Sequence, residues 1–539
     1  MTSNNNVRSW IRGVNLGGWL LLERYITPYH FAITSCHLNG DFCFYPGALS
    51  APSISSNDYK ECNHQHCTPV ISQNLFDTED YPVDEWHLAS AFEDPHIAEQ
   101  WLNFHFDNFI KKEDLHHLKE AGITHVRVPL PHWILGDIQP GEPWIAGDRW
   151  KYFRRMVGWA REIGLEVWPN LHTAPGSQNG FDNSGKQHPV YTCGGWSDDP
   201  KHMPQTLVII NQITQRIVDD GLDDVVTGFG LLNEPFVDCN YTQYRSFLDQ
   251  GLEIVRTNMG DDVGVFVADM FSSPRFADGT WWLGETNTYL DSHFYSVFSS
   301  EVRAKSPKEH IWLVCHPDSE QNDITSCCYE DPKEKTIPST GVQRISTEWS
   351  AAFDAMPGDL LRQVMDGIRA NGVAPSFYRQ LSEPRKEFLR NFVEAQMITY
   401  EAENSPMTQG WFFWTVKTEG GAYAEWDYLR GLSEGWIPVV PKPTVSSESV
   451  FGTCDEILDR TTNETDIVHP FPWGDEEYWL QYSKLPDVEP HHTIRHWLGS
   501  VHLLLLAVLA SVLVAFSALR RRSRSTKGEY SAVGDVSML

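Results

Sequence analysis

Two glutamates in this 539-residue chain stand where a pair of carboxylates could break a glycosidic bond: Glu234, within Leu231-Leu-Asn-Glu-Pro235, and Glu348, within Thr347-Glu-Trp-Ser350. Cleavage with retained configuration needs two carboxyl groups roughly 5–5.5 Å apart. One carries a proton for the departing oxygen, and the other is ionised, to attack the anomeric carbon and form a glycosyl-enzyme intermediate. The neighbours suggest Glu234 as acid/base and Glu348 as nucleophile. Arg127 is expected to hold Glu348 ionised, and Tyr295 to donate a hydrogen bond to it. Asn233 is placed to hold a sugar 2-hydroxyl, a contact that strengthens in the transition state. His172 and His293 can bond sugar hydroxyls or the carboxylates, and Trp414 offers a stacking floor for a sugar ring. One His or Trp of this kind is usually core, and Asn-Glu-Pro alone arises by chance. The whole set on one rim is much harder to produce by accident.

A common rim requires that each residue end a strand of one closed parallel sheet. Eight extended apolar runs are predicted as strands: 13–16, 124–129, 166–171, 227–232, 264–269, 289–294, 342–347 and 409–415. Helix-period segments lie between several of them, at 112–121, 149–163, 206–219, 242–258 and 384–403. The clearest is 149–163, where Trp150, Phe153, Val157 and Ala160 recur at the spacing of a buried stripe. Alternation of this kind implies an α/β fold, a (β/α)8 TIM barrel, over residues 1–440. A barrel presents the C-terminal ends of its strands on one face, where Arg127, His172, Asn233, Glu234, His293, Tyr295, Glu348 and Trp414 would meet. The insertions 31–100, rich in Cys, and 296–341 are expected as loops above the mouth. Residues 441–496, Pro-rich and acidic, are expected as a stalk or strap.

Composition bounds the function. Hydrophobic residues make up 41% and charged residues 21%, which excludes wholesale disorder. A formal charge of −30 excludes a nucleic-acid partner, because a polyanion would be repelled. The 21 Trp suit a carbohydrate binder, since an indole face stacks on the apolar face of a pyranose. The ten Cys are an even number, as expected of disulfides in a secretory protein, with pairing left open. Cys62-Asn-His-Gln-His-Cys67 holds metal-ligand residue types but lacks the C-x2-C pairing of structural zinc sites. No metal or cofactor is expected, and the chain is expected to be a monomer. Asn240-Tyr-Thr and Asn463-Glu-Thr are glycosylation sequons. Residues 497–519 are mostly apolar without a formal charge, long enough to cross a bilayer, and are followed by Arg520, Arg521, Arg522, Arg524 and Lys527. A single membrane-spanning helix with a cytoplasmic basic tail, 520–539, is expected, the catalytic part facing the lumen or the outside. No apolar export segment is evident in residues 1–7. A tail-anchored protein with a cytosolic catalytic part is therefore the alternative topology.

Several blocks carry a resemblance. Arg12-Gly-Val-Asn-Leu-Gly-Gly-Trp-Leu-Leu-Leu-Glu23, Pro82-Val-Asp-Glu-Trp86 and Leu171-His-Thr-Ala-Pro-Gly-Ser-Gln-Asn-Gly-Phe-Asp-Asn-Ser-Gly185 resemble the fungal exo-β-1,3-glucanases of glycoside hydrolase family 5. So do the Glu234 and Glu348 blocks, His293-Phe-Tyr295 and Gly410-Trp-Phe-Phe-Trp-Thr415, all in the family's order across about residues 10–440. The resemblance implies the barrel fold, retention, and release of glucose from the non-reducing end of β-glucans. It puts the acid/base on Glu234 and the nucleophile on Glu348, with support from Arg127, His172, Asn233, His293 and Tyr295. Sugar contacts fall on Glu23, Asp182, Asn183 and Trp414, and an aromatic entrance clamp on Phe181 and Phe298. The insertion after Pro28, the long stretch between Tyr295 and Glu348, and Val416 in place of a frequent second Trp depart from the pattern. They bear on the outer subsites. An alternative keeps the chemistry and makes the substrate a steryl or other lipid glucoside. A membrane receptor built on a retired hydrolase would usually have lost a carboxylate, and both are present.

Overall fold

In the computed structural model, β1 (Ile11–Asn15), β2 (His125–Leu130), β3 (Glu166–Leu171), β4 (Gly228–Gly230), β5 (Gly264–Ala268), β6 (Thr288–Phe294), β7 (Arg344–Trp349) and β8 (Gly410–Phe413) close into a barrel. All pairings are parallel, and β1 joins the ends by pairing with both β8 and β2. The structure describes residues 9–32, 36–38, 41–43, 68–69, 82–92, 94–272, 276, 286–316, 343–354, 381–402, 409–421 and 423–463. The eight strands are the eight expected runs, with small shifts at their ends. Among the described residues, helices follow every strand but β5: α1 (Lys112–Glu120), α2 (Arg149–Ile163), α3 (His202–Asp219), α4 (Tyr241–Met259), α5 (Pro307–Cys315), α6 (Glu383–Glu401) and α7 (Tyr428–Glu434). α2 has the bounds its apolar stripe predicted, and it stops where Gly164 takes the left-handed conformation (φ 81°).

Aromatic rings fill the barrel. Trp168 of β3, Phe266 of β5, Tyr289 of β6, Ile345 of β7 and Phe412 of β8 form one buried cluster. Trp168 stacks on Phe266 with centroids 5.5 Å apart and also meets Phe412 at 5.6 Å. This explains the sequence Gly228-Phe-Gly230 of β4. A Cβ on Gly228 would come within 2.4 Å of the Trp168 ring, and one on Gly230 within 2.3 Å of Phe266. The strand lacks inward side chains so that its neighbours' rings can occupy the space.

At the N-terminal end of the strands, fully buried Arg12 meets Glu401 of α6 through Nε at 2.7 Å and one terminal nitrogen at 2.8 Å. The same guanidinium donates to the carbonyls of Pro441, Lys442 and Val445, while Glu401 also accepts from Trp411 Nε1 and the Ser447 backbone. The start of the expected stalk or strap is thus bound against the barrel. A disulfide from Cys315 to Cys454 ties a following helix, Cys454–Arg460, to α5, and a second joins Cys193 to Cys239.

The insertions are less loop-like than expected. The first carries a helix at Glu85–Ala91, capped by Asp84, and another begins at Pro95. The second carries α5, opened by a capping box of Ser306 and Glu309 with Pro307 in its first turn. A small antiparallel sheet places Cys36 opposite Cys43 in register. Cys62, Cys67, Cys327 and Cys328 lie outside the described residues, as do 464–539 with the apolar run 497–519 and the basic tail. No helix among the described residues is long and apolar enough to cross a membrane.

Glu401→Ala would leave the Arg12 charge buried without its carboxylate, a change that typically costs about 3–5 kcal/mol. A markedly lower urea midpoint is expected; a midpoint equal to that of the parent would show that the backbone carbonyls alone hold Arg12.

Candidate active site

The strand ends converge as the motif spacing implied. Arg127 of β2 is buried and donates to three partners: Asn15 Oδ1 on β1 at 2.8 Å, Asn233 Oδ1 after β4 at 2.8 Å, and Glu348 Oε1 on β7 at 2.7 Å. Tyr295, just past β6, donates to the other oxygen, Glu348 Oε2, at 2.8 Å. Opposite lies Glu234. Its Oε1 is 2.7 Å from His293 Nδ1, and its Oε2 accepts from Asn183 at 2.8 Å. An oxygen of Glu234, an oxygen of Glu348 and a ring nitrogen of His293 all lie within 4.8 Å of one another. The two carboxylates therefore face each other in one buried mouth.

Glu234 has φ +43°, left-handed backbone in a non-glycine residue immediately before Pro235. The extended conformation normally favoured before proline is given up there. The surrounding loop over-determines this turn: Gln178 Nε2 donates to the carbonyls of His172 and Asn233, and Asn179 Nδ2 donates to that of Glu234. That loop is itself pressed against the segment at Cys193. A Cβ on Gly176 would lie 2.0 Å from the Gly195 carbonyl, and one on Gly195 would lie 2.0 Å from that of Gly176. The 193–239 disulfide ties that segment in turn to the stretch following Glu234.

The remaining sequence-predicted residues are all at or near this mouth. Trp414 is nearly buried and stacks on His172 with centroids 5.6 Å apart and planes 10° from parallel. Phe298 packs edge-on against Tyr295 at 5.4 Å and lies near Trp426. Phe181 meets Tyr191 edge-on at 4.8 Å and also touches Phe236 and Phe271. Asn183 contacts Glu234 directly, so in this structure it serves the carboxyl. Val416 is buried, its N–H donating to Asn15 O. Among the buried polar atoms of the described residues that have no hydrogen-bond partner within the protein are Glu23 Oε1, Asp182 Oδ2, His172 Nε2 and Asn233 Nδ2, all on residues of this site. Buried polar atoms are normally satisfied. A ligand rich in hydroxyls, which both donate and accept, would complete all four.

Electrostatics departs from expectation at one point. Burial pushes the Glu348 carboxyl up, and His293 and Arg127 only partly oppose it. Arg127 alone therefore does not account for an ionised Glu348. Burial disfavours a charge on His293, yet Glu348, Asp291 and Glu234 together hold it well above the ordinary imidazole range. His172 goes the other way, held well below it by burial and by the charges of Arg127 and His293. Burial raises Glu23 well above its usual value, with added repulsion from Glu348, Asp182 and Glu234. Asp182 is pushed up to about 6, mainly by burial, against the pull of Arg24. As a metal centre the Glu234–His293–Glu348 cluster is a poor fit, because Arg127 and Tyr295 already occupy the oxygens of Glu348 and Asn183 and His293 those of Glu234.

Reading the sequence alone missed Asn15, Asp291 and Thr347. Asn15 Nδ2 bonds the Thr347 and Phe413 carbonyls, and Asp291 binds both Thr347 and His293. Tyr191 and Phe236 were missed as well. An alternating Asp291-Ser-His293 on a predicted strand was the available signal for Asp291, since residues two apart share a face.

No protein-family model matches the chain. It is 30% identical to a protein of Arthroderma benhamiae described as a probable glucan 1,3-beta-glucosidase, over 83% of this chain and 92% of that one. It is 28% identical to glucan 1,3-beta-glucosidase I/II of Saccharomyces cerevisiae, over 79% of this chain and 85% of that one. Among solved structures it is similar in fold to the rutinosidase from Aspergillus niger, with a TM-score of 0.53, 16% identity, and coverage of 80% of this chain and 98% of that one.

The half-satisfied carboxyl of Asp182, whose Oδ1 accepts from Asn183 N–H while Oδ2 has no partner, yields a stability test. It binds its proton more tightly folded, near 6, than unfolded, about 3.9, so its ionisation weakens the fold at pH 7. That penalty fades as pH falls through 6 and vanishes below about 4. Asp182→Asn should therefore gain about 1–3 kcal/mol at pH 7 and nothing at pH 3.5, read from paired urea denaturations. A variant no more stable at pH 7 would show that the site tolerates this charge.

Proposed function

We propose, since the chain belongs to the glucan 1,3-β-glucosidases of glycoside hydrolase family 5 and is a glycosidase, that it releases glucose from the non-reducing end of β-1,3-glucans with retention of configuration. One observation carries the reading: an oxygen of Glu234 and an oxygen of Glu348 lie within 4.8 Å. Retaining glycosidases keep their carboxyl groups about 5–5.5 Å apart, whereas inverting ones need the wider gap that admits a water. Glu348 serves as nucleophile. Its ground-state charge is stabilised by Arg127 and Tyr295, and both donors lie on oxygens that must stay positioned during attack. Glu234 serves as acid, then as base, with Asn183 and His293 holding it.

The orphaned atoms fit the sugar. Asn233 Nδ2 would take the 2-hydroxyl, while Glu23 and Asp182 would accept from hydroxyls at the closed end, each better satisfied with a substrate than without one. Trp414 would form the floor of the ring, and Phe181 and Phe298 the entrance clamp. The apolar run 497–519 would anchor the chain as a single membrane-spanning helix, with the catalytic part lumenal or extracellular and the basic tail cytoplasmic.

A second reading, a glucoside of a sterol or other lipid, is favoured by one feature. Val190 is 68% and Tyr191 52% exposed beside Phe181, an apolar margin that an apolar aglycone could use.

Product analysis separates the two. The full chain is expected to give glucose, initially as the β anomer by NMR, as the sole early product from laminarin. An α anomer would sink retention; sterol release with inert laminarin would move the substrate to the lipid. Glu348→Ala should lose turnover by several orders of magnitude and, with azide, form the α-glucosyl azide from an activated aryl β-glucoside. Near-normal turnover in that variant would remove Glu348 from its role.

A further inference from the structure

Asp291 lies two residues before His293 on β6, is 3% exposed, and makes three bonds that converge beneath the two catalytic glutamates. Its Oδ1 accepts from the Thr347 backbone N–H at 2.9 Å, and its Oδ2 accepts from the Thr347 hydroxyl. That Oδ2 also lies 3.3 Å from His293 Nε2, which has the Thr347 hydroxyl as a further neighbour at 3.2 Å. The other ring nitrogen, Nδ1, faces Glu234 Oε1 at 2.7 Å. One short chain, Asp291–His293–Glu234, therefore crosses the mouth, anchored at the residue preceding Glu348.

We infer that Asp291 is a positioning residue for the general acid: it fixes the proton on His293 Nε2, so that Nδ1 shares a single proton with Glu234. The inference rests on the reading of Glu234 as acid/base. An ionised carboxylate only accepts, so the nitrogen facing Asp291 carries hydrogen. Nδ1 is then free either to accept from a protonated Glu234 or to donate to an ionised one. The proton sits on Oε1 or on Nδ1, and moving between them changes no bond elsewhere. When the glycosidic oxygen leaves it takes this proton, leaving a carboxylate and a neutral imidazole with Nε2–H. The water that cleaves the glycosyl-enzyme returns a proton to the same pair. His293 is faced by Glu234 from the end of β4, Glu348 from β7 and Asp291 from its own strand. Arg127 of β2 and His172 after β3 lie close enough to interact electrostatically with the network. The anions outweigh the cations at the imidazole, and the charge of Asp291 helps retain the shared proton as pH rises.

Asp291→Asn keeps the size and can still accept from Thr347, but turns an NH2 toward Nε2. The imidazole is then driven to the Nδ1–H form, which cannot accept from a protonated Glu234. The test compares Asp291→Asn, Glu234→Gln and the parent on an alkyl β-glucoside and a dinitrophenyl β-glucoside. Asp291→Asn should lose about 10²-fold or more in kcat/KM on the alkyl substrate, where protonation is needed, and only a few-fold on the activated one. Its alkaline limb should move to lower pH by about one unit. Equal losses on both substrates with an unmoved limb, while Glu234→Gln still discriminates between them, would overturn the relay and leave the acid in place. Failure of Glu234→Gln itself to discriminate would overturn the acid assignment, and the relay with it. A second measurement needs no substitution. Nitrogen NMR of His293 in the parent should show Nε2 protonated on both sides of the titration, with Nδ1 the nitrogen that changes; a bare Nε2 overturns the proposal even if Asp291→Asn fails to fold.

Discussion

A buried guanidinium cannot stand alone, and Arg127 organises the mouth of this barrel around that requirement. It needs an anion, and Glu348, equally buried, needs a cation. Neither can be satisfied unless β2 and β7, which are not neighbours in the sheet, approach across the interior. Asn15 and Asn233 accept from the two terminal nitrogens of Arg127 as well, from β1 and the end of β4, and Asn15 passes the connection on to the carbonyls of Thr347 and Phe413. The hydrogen bonds that place the nucleophile also bind β1, β2, β7, β8 and the end of β4 to one another. Closure of the barrel and geometry of the site are thus one problem in polar satisfaction, solved above a plug of aromatic rings that keeps the interior dry.

Outside the barrel, a series of contacts brings further carboxylates up to this pair. Glu85 bonds Leu22 N–H and pairs with Arg149, while Arg149 Nε holds the Leu20 carbonyl, so the segment ending in Glu23 is pinned from outside. Asp84 caps its own helix and also accepts from Gln187 N–H, and Trp86 N–H reaches Gly185 O, which fixes the loop carrying Asp182 and Asn183. Glu23 and Asp182 are then held close to Glu348 and Glu234 despite mutual repulsion. Such crowding costs stability and is kept where polar groups await a ligand.

Some of this was open to reading in the chain and some was not. The eight strands were visible because each is an apolar run with few polar interruptions, and a barrel strand is buried on both faces. The site pair was visible because Glu234 and Glu348 end such runs. Missed signals were of two kinds. Ser306-Pro-Lys-Glu309 spells a capped helix start that the Cys-, Ser- and Asp-rich surroundings obscured. Asp291, between Leu290 and Ser292 on its strand, carried no mark of the partner it meets, Thr347, fifty-six residues later in sequence. Arg127 does pair with Glu348, as their residue types imply, but burial raises the carboxyl's hold on a proton more than the guanidinium lowers it, and burial depth is not written in the residue types.

By itself, the sequence determined the alternation of strands and helices, the order of the strand ends, and the residue types available on one rim. Periodicity and burial act over a few residues, so they leave a local trace. Only the tertiary structure decided which rim residues touch: that Arg127 spans three strands, that Asn183 holds Glu234, that Asp291 lies behind His293, and that Glu23 and Asp182 keep an oxygen without a partner. Those contacts depend on barrel closure and on loops brought together from distant segments, at distances of tenths of an ångström that no spacing of letters encodes.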